Sequence, residues 1–331
     1  DMYLTPFMLY YVVKHLVTDR AAVRRVLWAV ALIGAYNGLY GIYTQVTGNI
    51  LFLERATAQG PFWYTESLRI MRGLLDSPHV FGLVFSLAIP IDFYLLLKAE
   101  RPSQRILAAV FLALALGGVF FTYKRTAWIA TLASLAVIPI FFPRFRRLLV
   151  VLLATTAVAG WLYTDQIERS AVVNERLNEK TSTFNGRLDL WITALEYAAE
   201  SPWFGHGMGN FQARSGLRSI ESNYLWLLVD AGLAGLAPFL LVLFFLFQTG
   251  LRLYRARSTL LFVDRDEVAI FWSILAAYVV SLSTVVMNHE FPHQVFFVAA
   301  GAMIGSQEAI LRRLGPEPIP AGVTAPTPVQ S

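Results

Sequence analysis

The chain has 331 residues, of which 56% are hydrophobic and 15% are charged. Soluble domains carry about 25% charged residues, so the composition excludes an ordinary soluble globular domain. The formal net charge of +5 does not indicate nucleic-acid binding, because membrane proteins hold excess Lys and Arg for topological reasons. The absence of Cys excludes disulfides, thiolate metal sites and a Cys nucleophile.

Apolar runs of about 18–20 residues recur along the chain, which is the length that crosses a bilayer core of about 30 Å. We therefore predict an all-α fold, a polytopic bundle of transmembrane helices within residues 1–314. The apolar residues 2–13 are too short for a full span and are interpreted as the end of a truncated helix. The Pro-rich residues 315–331 are predicted to be a disordered cytoplasmic tail. The predicted spans, about eight, cover about residues 26–47, 77–97, 106–122, 126–142, 148–164, 221–249, 268–287 and 294–311.

Lys and Arg concentrate in alternate connections between the predicted spans. Because basic residues accumulate in cytoplasmic connections, the face that holds most of them is predicted to be cytoplasmic. The opposite face carries the single large polar insert, about residues 165–220, and the short turn at 124–125. The basic connections are 14–25, 98–105, 143–147, 251–267 and the segment from 312 onward, which together hold 16 of the 27 Lys and Arg.

The insert contains a predicted helix over 186–200, with Asn185 as its N-cap. Its apolar stripe is predicted to lie against the membrane domain. This stripe consists of Leu188, Trp191, Ile192 and Leu195.

The glycine-rich segment SPWFGHGMGNF (201–211) follows that helix. No strand precedes it, so it does not fit a nucleotide-binding fingerprint. A tight loop is favoured over an anion-binding turn, although free backbone N–H groups would suit an anion. His206 within it is a candidate general acid or base, because the pKa of His lies near neutrality.

The stretch TYKRTAW (122–128) places Lys124 and Arg125 at a turn on the face opposite the basic connections. Interface anchoring is one interpretation of these cations. Recognition of an anionic group is the other, because Arg binds phosphate oxygens bidentately. A lipid diphosphate is the natural ligand of such a face, since a departing diphosphate needs cations to absorb its negative charge. Further cations predicted on this face are Arg69, Arg72, Arg187, Arg214 and Arg218.

The span that begins ESNYLWLLVDAGLAGLAPFL has polar residues at its start. Asn223 and Asp230 fall on one helical face at i, i+7. Asp230 is either a functional intramembrane carboxylate or one satisfied by a neighbouring helix. The run of about 29 residues is about 43 Å long at about 1.5 Å per residue, so the helix must tilt, bend or project. Gly232 and Pro238 permit a kink.

Three further polar features are interpreted as structural. DRD (264–266) is predicted to be a solvated loop, and MNHEFPH (287–293) a short turn. Pro292 argues against a helix there, and therefore against a metal site formed by its two His residues. Asp92 is predicted to pair with Lys98 near the cytoplasmic interface.

FNGRLDLWITALEYAAESPWFGHGMGNF, followed by ESNYLWLLVDAGLAGLAPFL, resembles the C-terminal signature of the O-antigen ligase / O-antigen polymerase superfamily. The shared features are GR…W…A in a large periplasmic loop, P…GxGxGNF, and a polar-Asn-x-Tyr-Leu start to a long span. GIYTQVTGN, LLDSPHVFGLVFSLAIP and TYKRTAW match weaker family features in the same order. The resemblance covers about residues 26–311.

The resemblance implies a GT-C-like, multi-pass enzyme of the bacterial inner membrane that works at the periplasmic face. Such enzymes take a glycan from undecaprenyl diphosphate and pass it to lipid A core (ligases) or to another lipid-linked repeat unit (polymerases). The implied partners are that lipid-linked glycan, the acceptor and membrane lipids, without nucleic acid, cofactor or metal. Arg125 and Arg187 would contact the diphosphate. The other substrate-binding candidates are Lys124, Ser222, Asn223 and Tyr224.

One residue departs from the ligase pattern. Ligases place a His, the base that activates the acceptor hydroxyl, immediately before the Asn, where this chain has Ser222. A serine hydroxyl is too weak a base at neutral pH. Either another group takes the role or the chain is not a true ligase, which favours a polymerase or another polysaccharide-assembly protein. The candidate groups are Glu221, Asp230, Asp189 and His206.

Two other classes of function stay open at the level of sequence. A flippase or transporter of lipid-linked glycans predicts charged residues near mid-membrane and two related halves, whereas the polar groups here cluster at one edge. A non-catalytic member of an envelope-assembly complex is compatible with Ser222.

Overall fold

A computed structural model describes residues 3–47, 64–65, 68–69, 78–122, 124–142, 188–211, 220, 222–259, 265–285 and 289–313. The predicted all-α fold is confirmed. The strands in the described residues form one antiparallel hairpin, with two residues in each strand. The elements are α1 (Leu4–Leu16), α2 (Arg20–Thr47), β1 (Tyr64–Thr65), β2 (Leu68–Arg69), α3 (Pro78–Lys98), α4 (Pro102–Phe121), α5 (Arg125–Phe141), α6 (188–200), α7 (Asn223–Thr259), α8 (Arg265–Thr284) and α9 (Glu290–Arg313).

Within the described residues, six helices are long and apolar enough to cross a membrane, fewer than the predicted count of about eight. α5 is apolar but has 17 residues and ends at Phe141, two positions before Pro143. The predicted span 148–164 lies outside the described residues. The six spans are Arg20–Tyr43, His79–Lys98, Pro102–Phe121, Asn223–Arg255, Asp266–Thr284 and Glu290–Arg312.

Small residues bring the helices into close contact. A Cβ at Gly34 would lie 2.5 Å from that of Ala88, and a Cβ at Gly82 would lie 2.5 Å from that of Ala127. The Ser86 hydroxyl lies 3.0 Å from the Thr131 hydroxyl between α3 and α5. Lipid tails are as apolar as Leu, so membrane helices associate through such tight packing and interhelical hydrogen bonds.

The short helix α1 is an integral part of the bundle. It runs beside α9, where a Cβ at Gly301 would lie 2.8 Å from the Tyr10 carbonyl oxygen and one at Gly305 would overlap the Lys14 carbonyl. Lys14 Nζ also pairs with Glu308 Oε1 at 2.9 Å. The apolar run at 2–13 therefore contributes a packed helix, even though it is too short to span.

The described polar contacts divide the bundle into two ends. At the ion-pair end, three pairs join different elements of the bundle: Lys14–Glu308 at 2.9 Å, Arg24–Glu100 at 2.9 Å and Lys98–Asp266 at 2.5 Å. These pairs bring basic segments 14–25 and 98–105 to one end, as the alternation of charge predicts. The opposite end, which we call the Asn223 end, holds the start of α7, the end of α4 with the start of α5, and the end of α8 with the start of α9.

The predicted Asp92–Lys98 pair is wrong. Lys98 pairs with Asp266, which lies in the first turn of α8 rather than in a solvated loop. Asp92 and Lys98 are six positions apart, which is about 240° around a helix, so the two side chains do not share a face. Asp92 is fully buried, and neither carboxyl oxygen has a hydrogen-bond partner in the described part of the chain.

We expect Asp92→Asn to leave the protein as stable as the native chain or more stable. The amide has nearly the same shape and cannot ionise, so the variant avoids the cost of a charged group buried without a hydrogen-bond partner, which is about 1–3 kcal/mol or more. Thermal unfolding in detergent, with Leu95→Asn in the same helix as a control that adds a buried amide, measures the effect. A clear loss of stability in Asp92→Asn would mean that the carboxylate has a structural role.

Candidate functional site

The long helix α7 is broken at Gly232, where φ is 64° and ψ is −161°. In a continuous helix the N–H groups of Leu233 and Ala234 would donate to the carbonyls of Val229 and Asp230. The break removes both bonds. Buried backbone groups almost always find a partner, so a substitute for these bonds is required.

The glycine-rich segment supplies that substitute. Leu233 N donates to Pro202 O at 2.8 Å, and Ala234 N donates to Trp203 O at 2.9 Å. In return, His206 N donates to Val229 O and Gly207 N donates to Asp230 O, both at 2.9 Å. We call these four bonds, between residues 202–207 and 229–234, the clasp.

Two glycines make the clasp possible. Gly205 and Gly232 both have positive φ. A Cβ at Gly205 would lie 2.5 Å from the backbone of Asp230, and a Cβ at Gly232 would lie 2.5 Å from the backbone of Trp203. Glycine alone tolerates such conformations and contacts without strain. The segment is therefore a packed loop, and its N–H groups at His206 and Gly207 are already bonded to α7 rather than available to an anion.

Asp230 lies at the break and is buried. Its Oδ2 accepts a hydrogen bond from Gly209 N at 3.4 Å, while Oδ1 is buried without a hydrogen-bond partner among the described residues. Its carboxylate also interacts electrostatically with His206. Asp230 thus combines a contact to the loop with one unused buried acceptor.

His206 is held in a defined orientation. Its Nε2 lies 2.7 Å from the Tyr197 carbonyl oxygen, which can only accept, so Nε2 carries the proton. The imidazole stacks on the Tyr197 ring with centroids 3.9 Å apart. In the neutral ring, Nδ1 is then the basic nitrogen.

The polar residues at the start of α7 take part in helix packing. The Asn223 side chain, fully buried, bonds to the Tyr3 hydroxyl, with Nδ2 at 2.8 Å and Oδ1 at 3.1 Å. Ser222 is also buried, and its carbonyl accepts from Trp226 N at 2.9 Å. Tyr224 donates to Val279 O of α8 at 3.3 Å. The described contacts of Asn223 and Tyr224 therefore anchor the start of α7 to α1 and α8.

The sequence did not predict a buried polar pair, Tyr278 and His293, at the same end. Tyr278 OH lies 2.6 Å from His293 Nδ1, and the ring of Tyr3 lies 5.1 Å from that of His293. The prediction of a turn through residue 293 is wrong, because α9 begins at Glu290. Pro292 falls in the first helical turn, where its missing N–H is not needed. In the described chain, no group of three or more His, Asp or Glu side chains could hold a metal ion.

Lys124 and Arg125 lie in the α4–α5 hairpin, as predicted. α4 ends at Phe121, and the Thr122 hydroxyl and the Trp128 indole both donate to Val119 O, at 2.7 and 3.0 Å. Arg125 is exposed at the first position of α5. The hairpin lies at the Asn223 end of the bundle. Arg187 and Glu221 lie outside the described residues.

The predicted packing face of α6 is wrong. The side chains that pack against α7 centre on Ala194 and Ala198, with Trp191 as the one predicted residue among their neighbours. Leu188, Ile192 and Leu195 are exposed instead. The small side chains of Ala194 and Ala198 let α6 lie close against Val229 in the first turns of α7. Together these residues form a separate small cluster of the core.

Fold and site together define a multi-pass helical membrane protein with a polar site at one end of its bundle. Residues 109–240 match the family model described as O-antigen ligase. The matched range includes the α4–α5 hairpin, α6 and the clasp. This similarity supports membership of the O-antigen ligase/polymerase superfamily and a membrane glycan-processing function of that type. A search of the curated proteins finds no match.

Proposed function

We propose that this protein is a membrane glycosyltransferase that moves a glycan from undecaprenyl diphosphate to an acceptor sugar at the periplasmic face of the inner membrane. The observation that carries the proposal is the family match over 109–240, which contains both Arg125 and the clasped start of α7 at one bundle end. Arg125 and Arg187 would hold the diphosphate, because guanidinium groups fit phosphate oxygens and balance the charge of the leaving group. A polymerase is favoured over a ligase, since Ser222 replaces the ligase His.

Among the candidate bases, His206 fits the role best. A general base is effective when a second group fixes its orientation, as the Tyr197 carbonyl does for His206. Nδ1 would accept the proton of the acceptor hydroxyl as that oxygen bonds to the sugar and the diphosphate departs. Asp230 would stabilise the resulting imidazolium by charge, as the carboxylate of a catalytic triad does.

Replacing His206 by Gln is expected to lower glycan transfer about 100-fold, the lower part of the range for loss of a general base. The Gln side-chain amide can still donate to the Tyr197 carbonyl, so the fold should persist. Initial rates in proteoliposomes measure the effect. His289→Gln, at the α8–α9 connection of the same end, serves as the matched control and should keep full activity. Full activity of His206→Gln would exclude His206 as the base.

The proposed reaction is tested by reconstituting the purified protein with an undecaprenyl-diphosphate-linked repeat unit. Elongation of the glycan identifies a polymerase, and transfer to added lipid A core identifies a ligase. Movement of the lipid across the bilayer without a new glycosidic bond would overturn the proposal in favour of a flippase. Absence of both activities with intact donor and acceptor would favour a non-catalytic assembly protein.

A further inference from the structure

Helix α6 presents three distinct faces. One packs on α7 through Ala194 and Ala198 and their apolar neighbours. The second is exposed and apolar, with Leu188, Ile192 and Leu195 at i, i+4 and i+7. The third is exposed and acidic and lies about 100° around the helix from the apolar face. It consists of Asp189, Glu196 and Glu200.

The loop that follows α6 extends the exposed apolar surface. Trp203, Phe204 and Met208 are 68%, 79% and 80% exposed. Their backbone is held by the clasp and by the Ser201 hydroxyl, which donates to Gly205 O at 2.8 Å. Three large apolar side chains are therefore presented outward from an ordered loop, an arrangement that water disfavours and that marks an interaction surface.

This surface is continuous with the lipid-facing side of α7. The Pro202 carbonyl accepts from Leu233 N, so the loop runs directly beside Leu233. Leu233 is exposed, and further exposed apolar residues follow it along α7. They are Leu240, Leu241, Phe244, Phe245 and Phe247. An 18-residue window of the span Asn223–Arg255 has a mean hydropathy of 2.2 and is 28% buried, so most of its surface is available to lipid.

We propose that α6 and residues 203–208, which we call the interfacial segment, lie in the boundary region of the lipid bilayer. Their exposed apolar side chains enter the acyl chains of the adjacent leaflet, and the acidic face of α6 points to water. A helix with separate apolar and charged faces takes this position in the plane of a membrane, and Trp is enriched at that depth. This proposal rests on the membrane fold and not on the proposed transferase activity.

The charge of the water-facing side determines what holds the segment. Interfacial helices that rely on anionic lipids carry Lys and Arg on the polar face. Here the polar face carries Asp189, Glu196 and Glu200. The attachment is therefore through apolar burial, and it should not need anionic lipid. It places the clasp, and with it His206, at the boundary between headgroups and acyl chains.

The absence of native Cys allows a direct test by site-directed spin labelling. Single Cys residues are introduced at Leu195, Phe204 and Met208 on the apolar surface and at Glu196 and Glu200 on the acidic face. All five positions are exposed, so labelling should not disturb the core. Each labelled protein is reconstituted in phosphatidylcholine vesicles. Collision rates of the nitroxide with oxygen, which concentrates in lipid, and with a water-soluble nickel chelate are then measured by power saturation.

Labels at Leu195, Phe204 and Met208 are expected to have an oxygen-to-nickel collision ratio several-fold higher than labels at Glu196 and Glu200. The same contrast is expected when phosphatidylglycerol is added. Equal nickel accessibility at all five positions would place the segment in water and overturn the proposal. Protection of the apolar positions from both reagents would overturn it as well, because a protein partner or second copy would then cover the surface. A contrast that appears only with phosphatidylglycerol would contradict attachment through apolar burial.

Discussion

Replacing Arg125 by Ala is expected to lower glycan transfer on the order of 10³-fold while the protein still inserts and folds. Loss of one preorganised donor to a developing anion costs about 10²–10³ in rate, and an arginine that balances phosphoryl charge contributes more. Arg125 is exposed at the first position of α5, so its replacement by Ala opens no cavity in the core. Initial transfer rates with a lipid-diphosphate donor measure the effect.

Two variants make the result specific. Arg125→Lys keeps the charge but loses the planar fork that fits two phosphate oxygens, so an intermediate activity is expected. Arg105→Ala removes another exposed arginine, near the start of α4 and the ion-pair end, and should leave transfer unchanged. Native activity in Arg125→Ala would exclude the hairpin from donor binding. A comparable loss in Arg105→Ala would instead indicate a general effect of surface charge.

The spans were predictable because each membrane helix satisfies its own backbone hydrogen bonds locally. The predicted run 106–122 corresponds to Pro102–Phe121, and 268–287 corresponds to Arg265–Thr284. The ends of such helices follow from local residues, such as Pro102 at the start of α4. The alternation of basic connections likewise predicted which helix ends gather at the ion-pair end.

Which face of a helix packs was not predictable from the helix alone. In α6, both the predicted stripe and the observed one have helical spacing, and the first turns of α7 decide between them. Similarly, Asp92 was assigned to the nearest Lys in sequence, whereas Lys98 is held by Asp266 from α8. The Tyr3–Asn223 bond joins residues 220 positions apart, and no local pattern indicates such a contact.

The clasp shows what sequence reasoning can reach at the site itself. The glycine spacing in 201–211 predicts a tight loop, and Gly232 predicts a bend in α7, but neither pattern indicates that the two features bond to each other. Each supplies the backbone partners that the other lacks. The structure joins them where Gly205 and Gly232, both with positive φ, bring the two backbones so close that neither position has room for a Cβ.

Replacing Gly232 by Ala is therefore expected to destabilise the protein by about 3 kcal/mol or more. About 1–3 kcal/mol comes from strain at a φ and ψ that essentially only glycine adopts, and the rest comes from the loss of buried hydrogen bonds. The new Cβ would lie 2.5 Å from the Trp203 carbonyl carbon and oxygen, so the two strands must separate. Thermal unfolding in detergent measures the stability. Hydrogen exchange at residues 206, 207, 233 and 234 reports the clasp directly, and these amides should lose protection.

Gly209→Ala is the matched control, because Gly209 also has positive φ but a Cβ there would meet no atom within 4 Å. It should cost the strain alone, about 1–2 kcal/mol, and leave the four amides protected. Gly205→Ala should reproduce the effect of Gly232→Ala from the other strand. If both act by opening the same clasp, the double variant will cost less than the sum of the single variants, since the second substitution has no closed clasp left to disrupt. Full additivity, or a Gly232→Ala protein as stable as Gly209→Ala, would show that the break in α7 is held by something other than these four bonds.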